Sequence, residues 1–216
     1  MVVISIVAMM RFRIRNRLLP LISLSVFVWL SLLLAAKGDV NVAIVYHSVT
    51  NHTESLAKAI GSGCSSVGAS VKILRVEDAS YEKDVLEWAD ALIIGSPTHY
   101  GNPSAGLLAW VEDEWEEFWK DERSSSMVGG IFATGGGIAQ GIEHVLASLT
   151  RLLWSFRFNV VSADPTRSGF TSYGAVGITG TPPFNATGSF LAPGFIDAAY
   201  AYGAKIVGAV SDKIKT

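Results

Sequence analysis

A loop rich in hydroxyl groups, residues 47–53 with the sequence HSVTNHT, could hold an anion. It follows a short apolar stretch and runs into an amphipathic segment with helical spacing, so it would end at the N-terminus of a helix. The unpaired N–H groups and positive dipole end of such a terminus favour a phosphate. Ser48, Thr50 and Thr53 add hydroxyl donors. The loop contains no Lys or Arg, which predicts that neutral donors hold the monophosphate of a permanently bound cofactor.

Two further loops carry residue types that suit a flat ligand. Residues 96–103, SPTHYGNP, combine a rigid backbone with an aromatic ring and an amide. Residues 134–141, TGGGIAQG, are rich in glycine, which lacks a Cβ and lets backbone N–H groups approach a ring closely. We expect the first loop (47–53), the second loop (96–103) and the third loop (134–141) to hold a phosphate at one end and a planar ring at the other.

Short apolar runs alternate with helical patterns from residue 40 onward. The predicted strands are 40–46, 71–76, 91–95, 128–133 and 159–162, and the predicted helices are 53–62, 81–89, 104–120, 141–156 and 193–213. Uniformly apolar strands are typical of a parallel sheet covered on both faces. The alternation predicts an α/β fold, a doubly wound five-stranded parallel sheet with ligands at the carboxyl ends of its strands. Residues 163–193, rich in Gly, Pro, Thr and Ser, are predicted to form a long functional or mobile loop.

Four segments resemble a known family. SVTNHT resembles the phosphate loop of flavodoxins. SPTHYGNPSAGLLAWVE, ATGGG and SYGAVGITG resemble, in the same order, segments of NAD(P)H:quinone oxidoreductases of the tryptophan-repressor-binding-protein type. The resemblance covers residues 40–212 and implies a flavodoxin-like fold, tightly bound FMN, and two-electron reduction of quinone-type acceptors by NADH or NADPH.

The resemblance also implies which residues bind the cofactor. The FMN phosphate would be held by Ser48, Val49, Thr50, Asn51, His52 and Thr53. The isoalloxazine and ribityl groups would be contacted by Pro97, Thr98, His99, Tyr100, Gly101 and Asn102. The other side of the ring would be lined by Thr134, Gly135, Gly136 and Gly137. The flavin itself would carry the hydride, so no catalytic side chain and no metal ligand are assigned.

Two positions depart from the family pattern. Asn51 stands where the family has a loop glycine, and because Asn tolerates a left-handed backbone well, the turn is expected to survive. Ser155-Phe156 replaces a histidine pair implicated in the substrate pocket. FMN binding is therefore better supported than quinone reduction.

Simpler structural roles compete with these assignments. Thr50 or Thr53 could act only as a helix N-cap. A group of aromatic side chains is predicted to pack a helix on the sheet rather than to bind a cofactor: Trp110, Trp115, Phe118 and Trp119. For Tyr173 and Phe184, capping of the flavin across a subunit boundary and anchoring of the long loop are both open. The oligomeric state is open too, with a homo-oligomer among the alternatives.

Charge and cysteine content exclude several classes of protein. The basic residues of segment 1–38 leave 12 basic and 19 acidic residues in the remainder, a formal charge of −7 that offers no footprint for nucleic acid. Cys64 is the sole cysteine, which excludes an internal disulfide and a cysteine-based metal cluster. We predict that Cys64 is an inert small residue in or near the first helix.

The N-terminal segment, residues 1–38, is predicted to be a signal peptide or signal anchor, followed by an FMN-binding domain at 39–216. Four arginines precede an apolar run at 18–36, whose 19 residues can cross a bilayer with the N-terminus in the cytoplasm. Ala36 and Gly38 also fit cleavage after Gly38. We expect a membrane-associated or secretory-pathway protein, with an organellar address as the alternative.

In a secretory lumen, Asn51-His52-Thr53 and Asn185-Ala186-Thr187 would be N-glycosylation acceptors, and a glycan on Asn51 would conflict with bound FMN. The alternatives to an FMN-dependent oxidoreductase are a one-electron carrier of flavodoxin type and a membrane-tethered flavodoxin-like protein without redox activity. Carriers tend to be strongly acidic and lack a substrate pocket. The charge of −7 and the long segment 163–193 therefore favour the enzyme.

Overall fold

The computed structural model describes residues 40–82, 84–164, 173–180, 184, 188 and 190–213. The strands of this part of the chain are β1 (Asn41–Tyr46), β2 (Ser70–Arg75), β3 (Ala91–Pro97), β4 (Val128–Gly135), β5 (Asn159–Val160) and β6 (Ala175–Ile178). All pairings are parallel, in the order β2-β1-β3-β4-β5, with β6 also paired to β4. This confirms the predicted doubly wound parallel sheet.

The last strand position is filled by two pieces of chain. β5 pairs with Val128 and Gly129 at the start of β4, and β6 pairs with the end of β4. Because β3 occupies the other side of β4, both pieces lie on the same side. The predicted strand at 159–162 is therefore too long, and the predicted loop at 163–193 is wrong at 175–178. The four apolar residues of β6 give too short a pattern to stand out in a segment rich in glycine.

The helices of the described chain are α1 (His52–Ser66), α2 (Val76–Ala79), α3 (Val85–Trp88), α4 (Ala105–Glu114), α5 (Glu116–Lys120), α6 (Ile142–Ser155) and α7 (Pro193–Lys213), with a 3₁₀ turn at Glu122–Ser126. The predicted helix at 81–89 is wrong, because the chain forms the short helices α2 and α3 instead. None of the described helices has both the length and the hydropathy to cross a bilayer. The predicted span at 18–36 and the acceptor Asn185 lie outside the described residues.

Trp115 divides the helix predicted at 104–120 into α4 and α5. Its indole is fully buried and makes edge-to-face contacts with Trp110 and Phe156, whose ring centroids lie 5.4 and 4.7 Å away. We attribute the break to this aromatic packing, which holds the Trp115 backbone at φ −101° and ψ 0°. The predicted packing role is confirmed for the buried Trp110, Trp115 and Phe118, whereas Trp119 is 52% exposed.

α1 and α7 pack against each other without intervening side chains at two glycines. A Cβ on Gly63 would collide with the backbone oxygen of Tyr200, and one on Gly203 would collide with that of Ile60. Cys64 lies at the same contact and donates from Sγ to the Gly203 oxygen at 3.3 Å. Burial raises the pKa of the Cys64 thiol to about 12, so the thiol is protonated and unreactive, as predicted.

We predict that Gly203→Ala destabilises the protein, because the added methyl group must separate α1 from α7. Overpacking of this kind costs about 1–3 kcal/mol. Gly208→Ala in the same helix is the matched control, since a Cβ there meets no atom within 4 Å. It should stabilise the protein by about 0.5–1 kcal/mol, the usual gain of Ala over Gly in a helix. Urea unfolding of both variants measures the difference, and equal effects would contradict the close contact.

Candidate functional site

The three loops predicted from the sequence meet at the carboxyl edge of the sheet. The hydroxyl of Thr53, in the first turn of α1, lies 2.8 Å from that of Thr134 at the end of β4. The N–H of Thr98, just after β3, donates to the Thr134 oxygen at 2.7 Å. The segment after β6 joins them, because His52 Nε2 lies 2.6 Å from the Gly188 oxygen. Four separate parts of the chain therefore build one site.

Asn51 shapes the first loop by taking a left-handed conformation, with φ 64° and ψ 5°. This confirms the prediction that Asn supports the turn usually given to glycine. The alternative of a cap by Thr50 or Thr53 is excluded, because Asn51 is the N-cap and the helix has no side-chain cap bond. The first intrahelical bond runs from Ser55 N to Asn51 O at 3.0 Å. The backbone N–H groups of residues 52–54 lie before this first bond, so they have no partner within the helix and are available to an anion.

Two buried hydroxyls at this edge, Ser48 Oγ and Thr98 Oγ1, have no hydrogen-bond partner within the described part of the chain. A buried polar atom without a partner costs about 1–3 kcal/mol, so such atoms are rare. They follow β1 and β3, the two adjacent central strands. Their position beside the free helix N-terminus fits the phosphate and the polar chain of a mononucleotide.

The hydroxyls of Thr50 and Thr53 are engaged within the protein. The Gly188 oxygen can only accept, so His52 Nε2 carries a proton. In the neutral ring Nδ1 then accepts from the Thr50 hydroxyl, 2.8 Å away. Thr53 is paired with Thr134. Of the three hydroxyls predicted to face a phosphate, Ser48 is the one without a described partner, and Thr50 and Thr53 tie the loops together.

The second loop makes a tight turn that presents Tyr100. His99 and Asn102 exchange two backbone hydrogen bonds of 2.9 Å, and Tyr100 and Gly101 between them have φ of 52° and 79°. Two consecutive positive φ values are typical of a type I′ turn. The conformation costs a bulky residue about 1–3 kcal/mol, yet the Tyr100 side chain is fully exposed. A strained backbone that holds an aromatic ring in solvent suits stacking on a planar ligand.

Glycines bring the third loop against the second. A Cβ on Gly135 would lie 3.2 Å from Thr98 Oγ1, and one on Gly141 would lie 2.6 Å from Gly101 Cα. Gly136 is exposed and its oxygen accepts from Gly180 N at 3.0 Å, whereas Gly137 is buried. The backbone of the third loop is thus fixed by the second loop and by the segment after β6. The remaining residues predicted for the site flank it: Val49 is exposed and Pro97 is half-buried.

Two residues at this edge escaped the sequence analysis. Arg75 ends β2 and contacts the first loop, although the loop has no cation of its own. His47 follows β1, and its Nδ1 is buried without a partner among the described residues. Burial lowers the pKa of His47, and the carboxylate of Glu77 opposes this effect only in part. The ring is therefore neutral near pH 7. The strand order 2-1-3 could have indicated Arg75, because it places the end of β2 next to that of β1.

Other residues considered from the sequence lie away from the loops. Ser155 is the last of the 14 residues of α6 and Phe156 follows it, about 20 Å from the start of the helix at the carboxyl edge. They are therefore not part of this site within one protomer. Phe184 packs edge-to-face on Phe195 at 5.4 Å, which favours the anchoring role. Tyr173 is half exposed, and its role stays open.

Cavities elsewhere offer less chemistry. One of about 320 Å³ at the amino edge of the sheet is lined by Glu87, Asp90 and Arg123 among others. The Arg123 guanidinium there donates to the oxygens of Leu86 and Glu87 and is also paired with Asp121. No group of three or more acidic, His or Cys side chains that could hold a metal ion occurs in the described ranges.

The parallel order 2-1-3-4-5, with a helix N-terminus directly after the β1 loop and two further loops beside it, defines a doubly wound α/β protein. Comparison of the sequence with known families identifies which family of this fold the chain belongs to. The flavodoxin family model matches residues 44–192, and the chain belongs to the flavodoxin family.

Individual relatives carry two kinds of name. A flavodoxin of Aquifex aeolicus is 32% identical over 144 residues, which cover 65% of this chain and 75% of that protein. An NAD(P)H dehydrogenase (quinone) of Paracoccus denitrificans is 29% identical over 165 residues, covering 68% and 78%. A similarly named protein of Archaeoglobus fulgidus is 26% identical over 166 residues, covering 65% and 86%.

Solved structures share the fold at lower identity. A flavodoxin, WrbA-like protein, from Agrobacterium tumefaciens superimposes with a TM-score of 0.60 at 20% identity, covering 81% of this chain and 99% of that one. A flavodoxin from the domain Archaea gives a TM-score of 0.57 at 18% identity, covering 79% and 98%. These matches support the flavodoxin-like fold that the sheet order already shows.

We predict that Tyr100→Asn stabilises the ligand-free protein and weakens flavin binding. Asn accepts a positive φ more readily, which should recover about 1 kcal/mol of the strain. Loss of aromatic stacking should at the same time lower riboflavin and FMN affinity alike. Tyr81→Ala, which removes another tyrosine that is 89% exposed, is the control and should change neither quantity. Thermal unfolding and flavin fluorescence titration measure the two effects, and unchanged flavin affinity in Tyr100→Asn would rule out the stacking role.

Proposed function

We propose that this protein is an FMN-dependent NAD(P)H oxidoreductase that reduces quinone-type acceptors by two electrons. One observation carries the cofactor assignment: two buried hydroxyls, Ser48 Oγ and Thr98 Oγ1, have no described partner beside a helix N-terminus with free N–H groups. The phosphate and the polar chain of FMN supply acceptors for both.

Each loop has a separate role in this proposal. The first loop holds the phosphate through the N–H groups of residues 52–54 and the hydroxyl of Ser48. Thr98 binds the polar chain, and Tyr100 covers one side of the ring. Gly135, Gly136 and Gly137 bring backbone against the other side, where N–H dipoles favour negative charge. The bound flavin would supply hydride acceptance from NAD(P)H and electron transfer to the acceptor.

The protein itself positions the cofactor and limits access to it. The contacts Thr53–Thr134 and Thr98–Thr134 fix the first and second loops to β4, so the phosphate and ring subsites keep a constant separation. The His52–Gly188 contact places Gly188 beside the first loop. This arrangement supports stable retention of the cofactor.

The quinone reductase assignment draws support from the relatives named NAD(P)H dehydrogenase (quinone). The relative named flavodoxin supports the second candidate, a one-electron carrier. The two candidates differ in direct reaction with nicotinamide. We favour the enzyme, because Gly180 and Gly188, both after β6, contact the third and first loops and add a fourth part of the chain to the site.

Anaerobic mixing of the purified, flavin-loaded full chain with NADPH or NADH tests this choice. We expect the flavin absorbance near 450 nm to bleach on a timescale of seconds or less and to recover on addition of benzoquinone (order-of-magnitude rate for an enzyme). A boiled sample is the control for reaction of free flavin. Loaded protein that is never reduced by either nucleotide would favour the carrier.

We predict that Ser48→Ala lowers FMN affinity by about tenfold to a hundredfold, because hydrogen bonds to charged groups are worth about 1.5–3 kcal/mol. The ligand-free protein should keep or gain stability, since the variant removes a buried hydroxyl without a described partner. Ser62→Ala, on the exposed side of α1, is the control. Fluorescence titration and thermal unfolding report the two quantities, and a destabilised variant with normal FMN affinity would refute the assignment.

We also propose that residues 1–38 direct the chain to a membrane or the secretory pathway, ahead of a flavin-binding domain at 39–216. Support comes from the basic and apolar sequence pattern alone. Carbonate extraction of membranes and N-terminal sequencing of the mature protein distinguish an anchor from a cleaved signal. A glycosidase shift that maps to Asn51 would count against bound FMN.

A further inference from the structure

Arg75 is a cation that contacts the first loop from the neighbouring strand. Its Nη1 donates to the Ser48 oxygen at 2.9 Å, and its Nη2 donates to Asn51 Oδ1 at 2.7 Å. The same Nη2 is also paired with the carboxylate of Glu54 in the first turn of α1. One guanidinium thus binds three residues that surround the proposed phosphate subsite.

The contact with Asn51 acts on the backbone conformation of the loop. Asn51 is held at φ 64°, where a Cβ is unfavourable and glycine is the usual residue. Its side-chain oxygen is directed to Arg75 rather than to a helical N–H, since no side-chain cap bond is made. The planar guanidinium has donors in a fixed arrangement, so it can orient the amide and the Ser48 carbonyl together. The Ser48 residue held in this way carries the buried hydroxyl without a described partner.

Arg75 also offsets the negative charge of Glu54 at the N-terminus of α1. The Glu54 carboxylate would repel a phosphate there, but Lys58 and Arg75 both bind it. The hydrogen bond from Lys58, followed by that from Arg75, lowers the pKa of Glu54, so it is ionised and paired at neutral pH. Two cations thus offset the charge of Glu54 although the loop itself contains no Lys or Arg, while the carboxylate of Glu77 also acts on Arg75.

We propose that Arg75 is a positioning residue for the phosphate of the bound flavin. It stabilises the left-handed conformation of Asn51, which a glycine at this position would adopt without such support. The inference rests on the proposed function, because FMN is the ligand whose phosphate the loop would hold. Arg75 acts through Asn51, Ser48 and Glu54, which accept three hydrogen bonds from its guanidinium.

Comparison of FMN with riboflavin tests the phosphate role. Arg75→Gln in the full chain should lower FMN affinity at least tenfold and leave riboflavin affinity unchanged, because riboflavin lacks the phosphate. Arg75→Lys should fall between, since an ammonium cannot orient two acceptors as a planar fork does. Lys72→Gln is the matched control, which removes a cation paired with Glu82 on the same strand. Equal losses for FMN and riboflavin would overturn the phosphate role.

A double-mutant cycle tests the coupling between Arg75 and Asn51. Asn51→Gly needs no support from a side chain, so Arg75→Gln should reduce the folding equilibrium constant several-fold less in the Asn51→Gly background than in the wild type. Urea unfolding of the four ligand-free proteins measures this. Equal effects in both backgrounds would overturn the coupling. If Arg75→Gln does not fold, Arg75→Lys completes the same cycle.

The two experiments separate this inference from the proposed function. A wild-type protein that binds neither FMN nor riboflavin would overturn the proposed function and the phosphate role together. The coupling measured by unfolding would still decide the link between Arg75 and Asn51, because that experiment needs no flavin.

Discussion

The parallel pairing of β1, β3 and β4 is the constraint on which the site depends. Tyr46 pairs in register with Gly95, and Gly95 pairs with Phe132. The three strands therefore approach the carboxyl edge of the sheet at the same height. Parallel strands all deliver their carboxyl ends to one side, and each crossover must therefore return the chain to the other side. Loops far apart in sequence then start within one residue or two of the same level. A register shift between β1 and β3 would move the hydroxyl of Ser48 relative to that of Thr98.

Several unfavourable features of the ligand-free protein lie at that edge. Asn51 and Tyr100 have left-handed backbones, and the hydroxyls of Ser48 and Thr98 lack partners in the described structure. Elsewhere the central strands are buried among apolar side chains, which provide the stability that such features require. A ligand with hydrogen-bond acceptors would provide the missing partners of the two hydroxyls. A flat ring on the same ligand could stack on Tyr100, which the strained turn presents. Stability and binding are thus opposed at these positions, and substitutions that improve one should impair the other.

Local sequence signals located most of this architecture, and long-range contacts account for what they missed. The apolar runs predicted the five strand positions, and the residue preferences of Asn predicted the left-handed turn at Asn51. The break at Trp115 depends on Phe156, forty residues away in the chain, and no periodicity within the helix encodes that contact. β6 was missed because it has four residues and is recognisable only from its pairing with β4. Arg75 looked like an ordinary strand end, since its role comes from the neighbour that the sheet order gives it.

The contact of α1 with α7 has a consequence for biogenesis. Since α7 follows every strand in the chain, the ribosome makes it after the sheet and the first loop. Until then the face of α1 around Gly63 and Cys64 has no helix to cover it. Truncated or stalled chains that lack α7 would therefore expose this face of α1.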